Sequence, residues 1–205
     1  MLRTAYEHAA ALFVDTVAQI KEPQWHQPGV GIWTVRDLVG HTAGGLQAVE
    51  TALATPATRI DIPGPVDYYL QGQAMQAILF DPGAVEARRR RAEETLGTDP
   101  ARAVRDCAVR VVPQVQAAAD DTLVRTVVGG IRFIDYLPSR VCELTIHTLD
   151  LAAALAYEVI VPESAATVTL QLLTALAVRS GQAAPLLLAA TGRCALPDSF
   201  NVLGL

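Results

Sequence analysis

The chain has 205 residues, of which 51% are hydrophobic and 5% aromatic, and its formal net charge is −5. The sequence does not predict the large basic surface that is typical of nucleic-acid-binding proteins. Its one arginine run, residues 88–91, is short and is explained by the solvent-exposed face of a helix. No apolar run reaches the roughly 20 residues that a transmembrane helix needs. Charged side chains also interrupt the N-terminal stretch where a signal peptide is apolar.

The three cysteines, Cys107, Cys142 and Cys194, have no spacing typical of metal ligands and are odd in number. Both features indicate a reduced, intracellular protein. We therefore predict a cytoplasmic protein that binds neither nucleic acid nor a membrane. Alanine, leucine and valine dominate the apolar residues and aromatic residues are few, which favours packed helices over a β-sandwich. The predicted fold class is mainly all-α.

Apolar residues recur at helical spacing in seven stretches of the chain. Thr34 is a suitable N-cap for the second of them, with Asp37 in the position of a capping-box acid. Thr98 and Asp99 before Pro100 give a comparable start signal for a later one. The predicted helices are residues 4–20, a helix from Thr34 to about Val49, and residues 66–79, 84–96, 100–119, 136–157 and 162–179.

Two segments between or after these helices have a different character. Residues 122–133 are rich in valine and contain Gly129 and Gly130, which predicts a short β-hairpin with a glycine turn, or else an extended loop. Residues 183–190 form an apolar run that periodicity does not assign to helix or strand. We predict a helical bundle over residues 1–160 and a C-terminal helical extension packed on it over residues 161–205.

The helix predicted over residues 136–157 is apolar around most of its circumference, which is typical of a buried helix. Its charged residues Arg140, Glu143, His147 and Asp150 all fall in one narrow arc. Glu143 and His147 are four residues apart, so a carboxylate oxygen and an imidazole nitrogen could converge on one metal ion. A solvated face, or an ion pair between Glu143 and Arg140, would explain the same arc without a metal.

His41, on the second helix, could complete a set of three ligands with Glu143 and His147. Three protein ligands with the remaining positions open are typical of a catalytic metal site. Nitrogen and oxygen donors without thiolate suit Zn²⁺, Ni²⁺ or Fe²⁺. Asp150 could accept a hydrogen bond from a ligand, contact the substrate, or be an ordinary surface acid. Arg140 could hold an anionic substrate group.

Two further features lie near His41 in the sequence. Gly44 and Gly45 follow it within one turn, which indicates either close approach of another backbone or room for a ligand. Trp25 and Trp33 bracket a loop rich in proline and glycine, and we predict that they cap the end of the bundle.

Three blocks of sequence carry a family resemblance. They are WTVRDLVGHTAGG around His41, YLPSRVCELTIHTLDLAAALAYE around Glu143 and His147, and the closing ATGRCALPDSFNVLG. Together they resemble the DinB-like, mycothiol-dependent maleylpyruvate isomerase family. The resemblance implies a four-helix DinB bundle that holds a metal, typically zinc, through His41, Glu143 and His147. It also implies that a low-molecular-weight thiol, mycothiol, binds this metal as a thiolate.

The family's isomerase carries a substantial C-terminal α/β domain, whereas only a short segment follows Pro162 here. We therefore predict a metal-dependent enzyme that uses mycothiol as an isomerase or S-transferase acting on a small electrophile, without specifying maleylpyruvate. The alternative is a non-catalytic DinB-like bundle, perhaps assembled as a homodimer, whose metal is structural or absent.

Overall fold

Eight α-helices make up most of the described residues, which are 1–75, 81–198 and 200–203 of a computed structural model. A short 3₁₀-helix, Glu22–His26, precedes the second of them. No helix in these residues combines the length and the apolarity that a bilayer span requires. The helices are α1 (Leu2–Val17), α2 (Val35–Ala54), α3 (Pro65–Ala74), α4 (Pro82–Leu96), α5 (Pro100–Ala117), α6 (Phe133–Leu155), α7 (Glu163–Arg179) and α8 (Ala183–Ala190).

The mainly all-α prediction is therefore confirmed, and the undecided run 183–190 is helical. The helix predicted over 66–79 is found as α3, and residues 76–79 lie outside the described part of the chain. The boundary between a bundle of residues 1–160 and an extension of 161–205 stays a prediction. In the structure α7 packs against α6 and α1, and α8 packs against α7.

Helices α1, α2, α5 and α6 form a four-helix bundle in which each of α1 and α2 packs against both α5 and α6. Thr34 caps α2 as predicted: its hydroxyl accepts a hydrogen bond from the Asp37 N–H, and the Asp37 carboxylate accepts one from the Thr34 N–H. This reciprocal pair satisfies backbone donors that a helix start otherwise leaves free. The apolar stripe of α2 is buried in the bundle and consists of Val35, Leu38, Val39, Thr42, Leu46 and Val49.

The central helix α6 begins three residues earlier than its sequence predicts. Because it starts at Phe133, Pro138 lies in its interior and not in its first turn. Proline there removes one helical hydrogen bond. Burial of the Phe133 ring, a hydrogen bond from its N–H to the Thr122 carbonyl, and an Arg132–Asp135 ion pair stabilise the early start. The earlier start adds three residues ahead of the site-bearing part of the helix, and the first of them, Phe133, is buried.

The predicted hairpin is confirmed, but its turn is not formed by the glycines. Strands β1 (Leu123–Thr126) and β2 (Gly129–Arg132) are antiparallel, with Thr126 opposite Gly129. The turn is therefore Val127-Val128, and both glycines belong to β2.

Close approach of a preceding loop explains why glycine stands in the strand. Asp61 donates its backbone N–H to the Gly130 carbonyl, and its carboxylate accepts the Gly130 N–H at 2.9 Å. A side chain at Gly130 would collide with the Arg59 carbonyl. The glycines thus allow the loop at Asp61 to pack closely against β2, a contact between segments distant in sequence that a local turn pattern does not reveal.

Two glycines of α2 offer a matched stability test. A methyl group added at Gly40 would lie 2.6 Å from Ala92 Cβ on α4, whereas one added at Gly44 would meet nothing within 4 Å. We expect Gly40→Ala to lower the free energy of unfolding by about 1–3 kcal/mol through overpacking. Gly44→Ala should raise it by up to about 1 kcal/mol through helix propensity. Urea denaturation measures both, and equal effects of the two variants would contradict the described α2–α4 contact.

Candidate metal centre

The three side chains selected from the sequence converge between α2 and α6. Glu143 Oε2 lies 3.4 Å from His147 Nε2 and 3.9 Å from His41 Nε2. One potential ligand atom from each residue lies within 4.8 Å of the others. Ligands around a tetrahedral zinc ion with bonds of about 2.0–2.2 Å stand about 3.3–3.6 Å apart. The donor set and spacing therefore fit a divalent ion after small side-chain movements.

The cluster is partly accessible to solvent. The exposed side-chain fraction is 35% for His41, 29% for Glu143 and 19% for His147. The two imidazole rings are perpendicular, with centroids 4.9 Å apart. An ion or a small ligand can therefore reach the cluster from the side of His41, whereas His147 is the more buried of the two histidines.

Electrostatics make Glu143 and His147 a charged pair in the metal-free protein. Burial opposes ionisation of Glu143, but a hydrogen bond from His147, the nearby His41 imidazole and the charge of Arg140 hold its pKa well below the usual value. Burial likewise opposes protonation of His147. Hydrogen bonds to Asp150 and Glu143, with the charges of both acids, outweigh that effect and raise the pKa of His147 to about 9. A cation is thus favoured next to the Glu143 carboxylate.

One hydrogen-bond acceptor, Asp150, and one donor, Tyr69, orient the candidate ligands. Asp150 Oδ2 lies 3.0 Å from His147 Nδ1, so His147 turns its Nε2 toward Glu143. The Tyr69 hydroxyl, on α3, donates to Glu143 Oε1 at 3.2 Å and leaves Oε2 facing the histidines. An acceptor such as Asp150 raises the basicity of the histidine ligand and fixes its orientation, and the hydroxyl of Tyr69 fixes the orientation of the Glu143 carboxylate.

Arg140 does not form the ion pair with Glu143 that would explain the charged arc without a metal. Its guanidinium carbon lies 5.0 Å from the Tyr136 ring centroid and 5.6 Å from that of Tyr68, and its Nε donates to the Ser139 hydroxyl. Within the described residues, Glu143 forms ion pairs with the two histidines and not with Arg140. The arc of charge on α6 is therefore not explained by an Arg140–Glu143 ion pair.

The family comparison agrees with this geometry. Residues 6–152 match the family described as the mycothiol maleylpyruvate isomerase N-terminal domain. The chain belongs to this family. The match runs from α1 to near the end of α6 and includes all three candidate ligands, so the predicted family is confirmed, while the closing block of the sequence lies outside it. Comparisons with curated proteins and with solved structures gave no match.

Sequence reasoning missed two residues of this candidate metal centre, Tyr69 and Trp33. Trp25 is buried in the core, but the Trp33 indole contacts His41, with ring centroids 4.6 Å apart, and lies 6.5 Å from His147. Trp33 could have been found from its place directly before the Thr34 N-cap, at the end of the helix that carries His41. Tyr69 offered no local signal, since its role depends on how α3 packs against α6.

The glycine pair after His41 has a clear outcome. Methyl groups added at Gly44 and Gly45 would meet nothing within 4 Å, so the expected close approach of another backbone is wrong at these positions. The close approach occurs one turn earlier, at Gly40. Beside His41 the helix surface is instead left uncovered by the described residues.

Proposed function

We propose that this protein is a metal-dependent enzyme that uses a low-molecular-weight thiol, mycothiol, to act on a small electrophile as an isomerase or S-transferase. The observation that carries the proposal is the convergence of His41, Glu143 and His147 in a half-open site of a chain that belongs to the mycothiol isomerase family. Two imidazoles and a carboxylate without thiolate favour Zn²⁺, with Ni²⁺ or Fe²⁺ as alternatives.

In this proposal His41 Nε2, His147 Nε2 and Glu143 Oε2 hold the ion. When bound, a divalent cation lowers the pKa of a thiol and so supplies a nucleophile at neutral pH. Asp150 accepts the Nδ1 proton of His147 and keeps its Nε2 lone pair directed at the site. Tyr69 holds the second oxygen of Glu143. These two contacts restrict the ligands before any ion arrives, which lowers the cost of ordering them on binding.

We further propose that Arg140 holds an anionic group of the substrate. Its side chain is half-buried one turn before the metal-site glutamate, and no ion pair to a carboxylate is found for it among the described residues. Arginine remains protonated at all relevant pH values and offers several N–H donors in a fixed plane. The Tyr68 and Tyr136 rings stabilise the guanidinium by cation–π contact without forming an ion pair with it.

A second candidate is a non-catalytic bundle that assembles as a homodimer. Helices α7 and α8 expose Leu170, Val178 and Leu187, which are 60%, 66% and 64% accessible. Apolar surface of this kind is typical of contacts between proteins. Dimerisation and the cytoplasmic location both stay predictions, and the mass of the protein in solution measures the first.

The two candidates are separated by loading and activity measured on one preparation. After chelator treatment and return of zinc, we expect one ion per chain, a higher melting temperature, and conversion of an electrophile that requires both mycothiol and metal. A ligand that binds only the folded state must raise the melting temperature. Zinc uptake without turnover would favour the non-catalytic bundle. A melting temperature unchanged by zinc, with no ion retained, would contradict the metal site itself.

A further inference from the structure

The two histidines of the metal centre are held in different ways. His147 is fixed on one side by Asp150, whose carboxylate lies 3.0 Å from Nδ1. His41 has only the 3.9 Å approach of its Nε2 to Glu143, and no hydrogen bond joins its ring to another described residue. It is also the more exposed of the two, at 35% against 19%. A ligand histidine without a hydrogen-bonded partner is unusual, because such a partner normally fixes ring orientation.

The indole of Trp33 packs against the His41 ring. The two ring centroids are 4.6 Å apart with an angle of 41° between the planes. This distance is within the range in which aromatic rings attract each other beyond simple burial. The indole packs against one side of the His41 ring and so limits its rotation.

The loop before α2 fixes Trp33 without help from His41. The Trp33 carbonyl accepts the Gly29 N–H at 2.7 Å, and its own N–H donates to the Val30 carbonyl at 3.0 Å. Pro28 and Thr34 form an antiparallel bridge across the loop, and Gly31 has a φ of 58°, a conformation that favours glycine. Both backbone groups of Trp33 are therefore engaged, and its side chain is presented from a short closed loop.

We propose that Trp33 is the positioning residue for His41, performing by ring contact the task that Asp150 performs for His147 by hydrogen bonding. The inference rests on the proposed metal site for its purpose, but the orientation of the ring is a property of the metal-free chain. A purely structural role is the competing explanation, because Trp33 also packs against the core directly before the α2 N-cap.

The first test measures the χ1 rotamer of His41 in the metal-free protein by three-bond NMR couplings. Wild type and Trp33→Phe, which keeps a ring face, should show one dominant rotamer. Trp33→Leu, which keeps apolar volume beside the N-cap but no ring face, should show averaging between rotamers. Ile32→Ala is the matched control, since Ile32 is in the same loop and 93% exposed. One rotamer of His41 in all four proteins would overturn the proposal, even if Trp33→Leu melts earlier.

The second test measures zinc affinity of the same variants by competition with a chromophoric chelator. Loss of an orienting contact at a metal ligand costs about 10–100-fold in affinity. We expect about tenfold weaker binding by Trp33→Leu and near-wild-type binding by Trp33→Phe and Ile32→Ala. Equal affinity in Trp33→Leu and wild type would count against positioning. A wild-type protein that takes up no zinc would instead refute the proposed function, and the NMR result would still decide the role of Trp33.

Discussion

Replacing His147 with alanine should lower the zinc affinity of the protein by more than about 100-fold. A group that only orients a ligand is worth about 10–100-fold, and His147 supplies a ligand atom itself. Its removal also deprives Glu143 and Asp150 of their shared partner, leaving two carboxylates without the cation that lies between them. Competition with a chromophoric chelator at neutral pH measures the change, and mycothiol-dependent activity should fall with it.

His8→Ala is the matched control for this experiment. His8 is an exposed histidine on α1 whose Nδ1 lies 2.9 Å from the Ser164 hydroxyl, outside the metal centre. Zinc affinity should be unchanged by this substitution. If His147→Ala retained the affinity of wild type, zinc would be binding elsewhere and the proposed ligand set would be wrong.

The metal-free protein should lose stability as the pH rises from about 6.5 to about 9. The pKa of His147 is raised from 6.5 to about 9, so the folded state holds this proton more tightly than the unfolded chain. The resulting stabilisation is fully present below pH 6.5 and is lost as the pH rises through the folded value. One pKa unit corresponds to about 1.4 kcal/mol, which makes the full effect about 3 kcal/mol.

Urea denaturation between pH 6 and 10 in the presence of a chelator measures this loss. Asp150→Asn provides the control, because it removes the negative charge that raises the pKa of His147 and weakens the hydrogen bond to Nδ1. In this variant the loss should be smaller and should occur at lower pH. An identical pH profile for Asp150→Asn and wild type would contradict the assignment of the effect to His147.

The proton on His147 should also make zinc affinity depend on pH. A metal can bind only the deprotonated imidazole, so binding releases the His147 proton wherever it is present. Apparent affinity should therefore rise about tenfold per pH unit up to about 9, and level off above it. Calorimetry in two buffers of different ionisation enthalpy counts the released proton directly.

Much of the local structure could be predicted from the chain alone. Apolar spacing identified the helices of the bundle, and the Thr34 and Asp37 pair identified the start of α2, because both signals arise within a few residues. Glu143 and His147 could be selected together for the same reason: a helix places side chains four residues apart on one face. The family was also recognised from short blocks that the match over residues 6–152 includes in part.

The geometry of the candidate metal centre depends on contacts between separate helices and loops. His41 of α2 approaches Glu143 of α6, and Tyr69 of α3 donates a hydrogen bond to the same glutamate. Trp33, in the loop before α2, contacts His41. The position of the hairpin turn and the close approach at Gly40 belong to the same class. Periodicity and capping are set by neighbours along the chain, whereas these contacts depend on how buried faces of separate helices fit together, and only the packed bundle determines that fit.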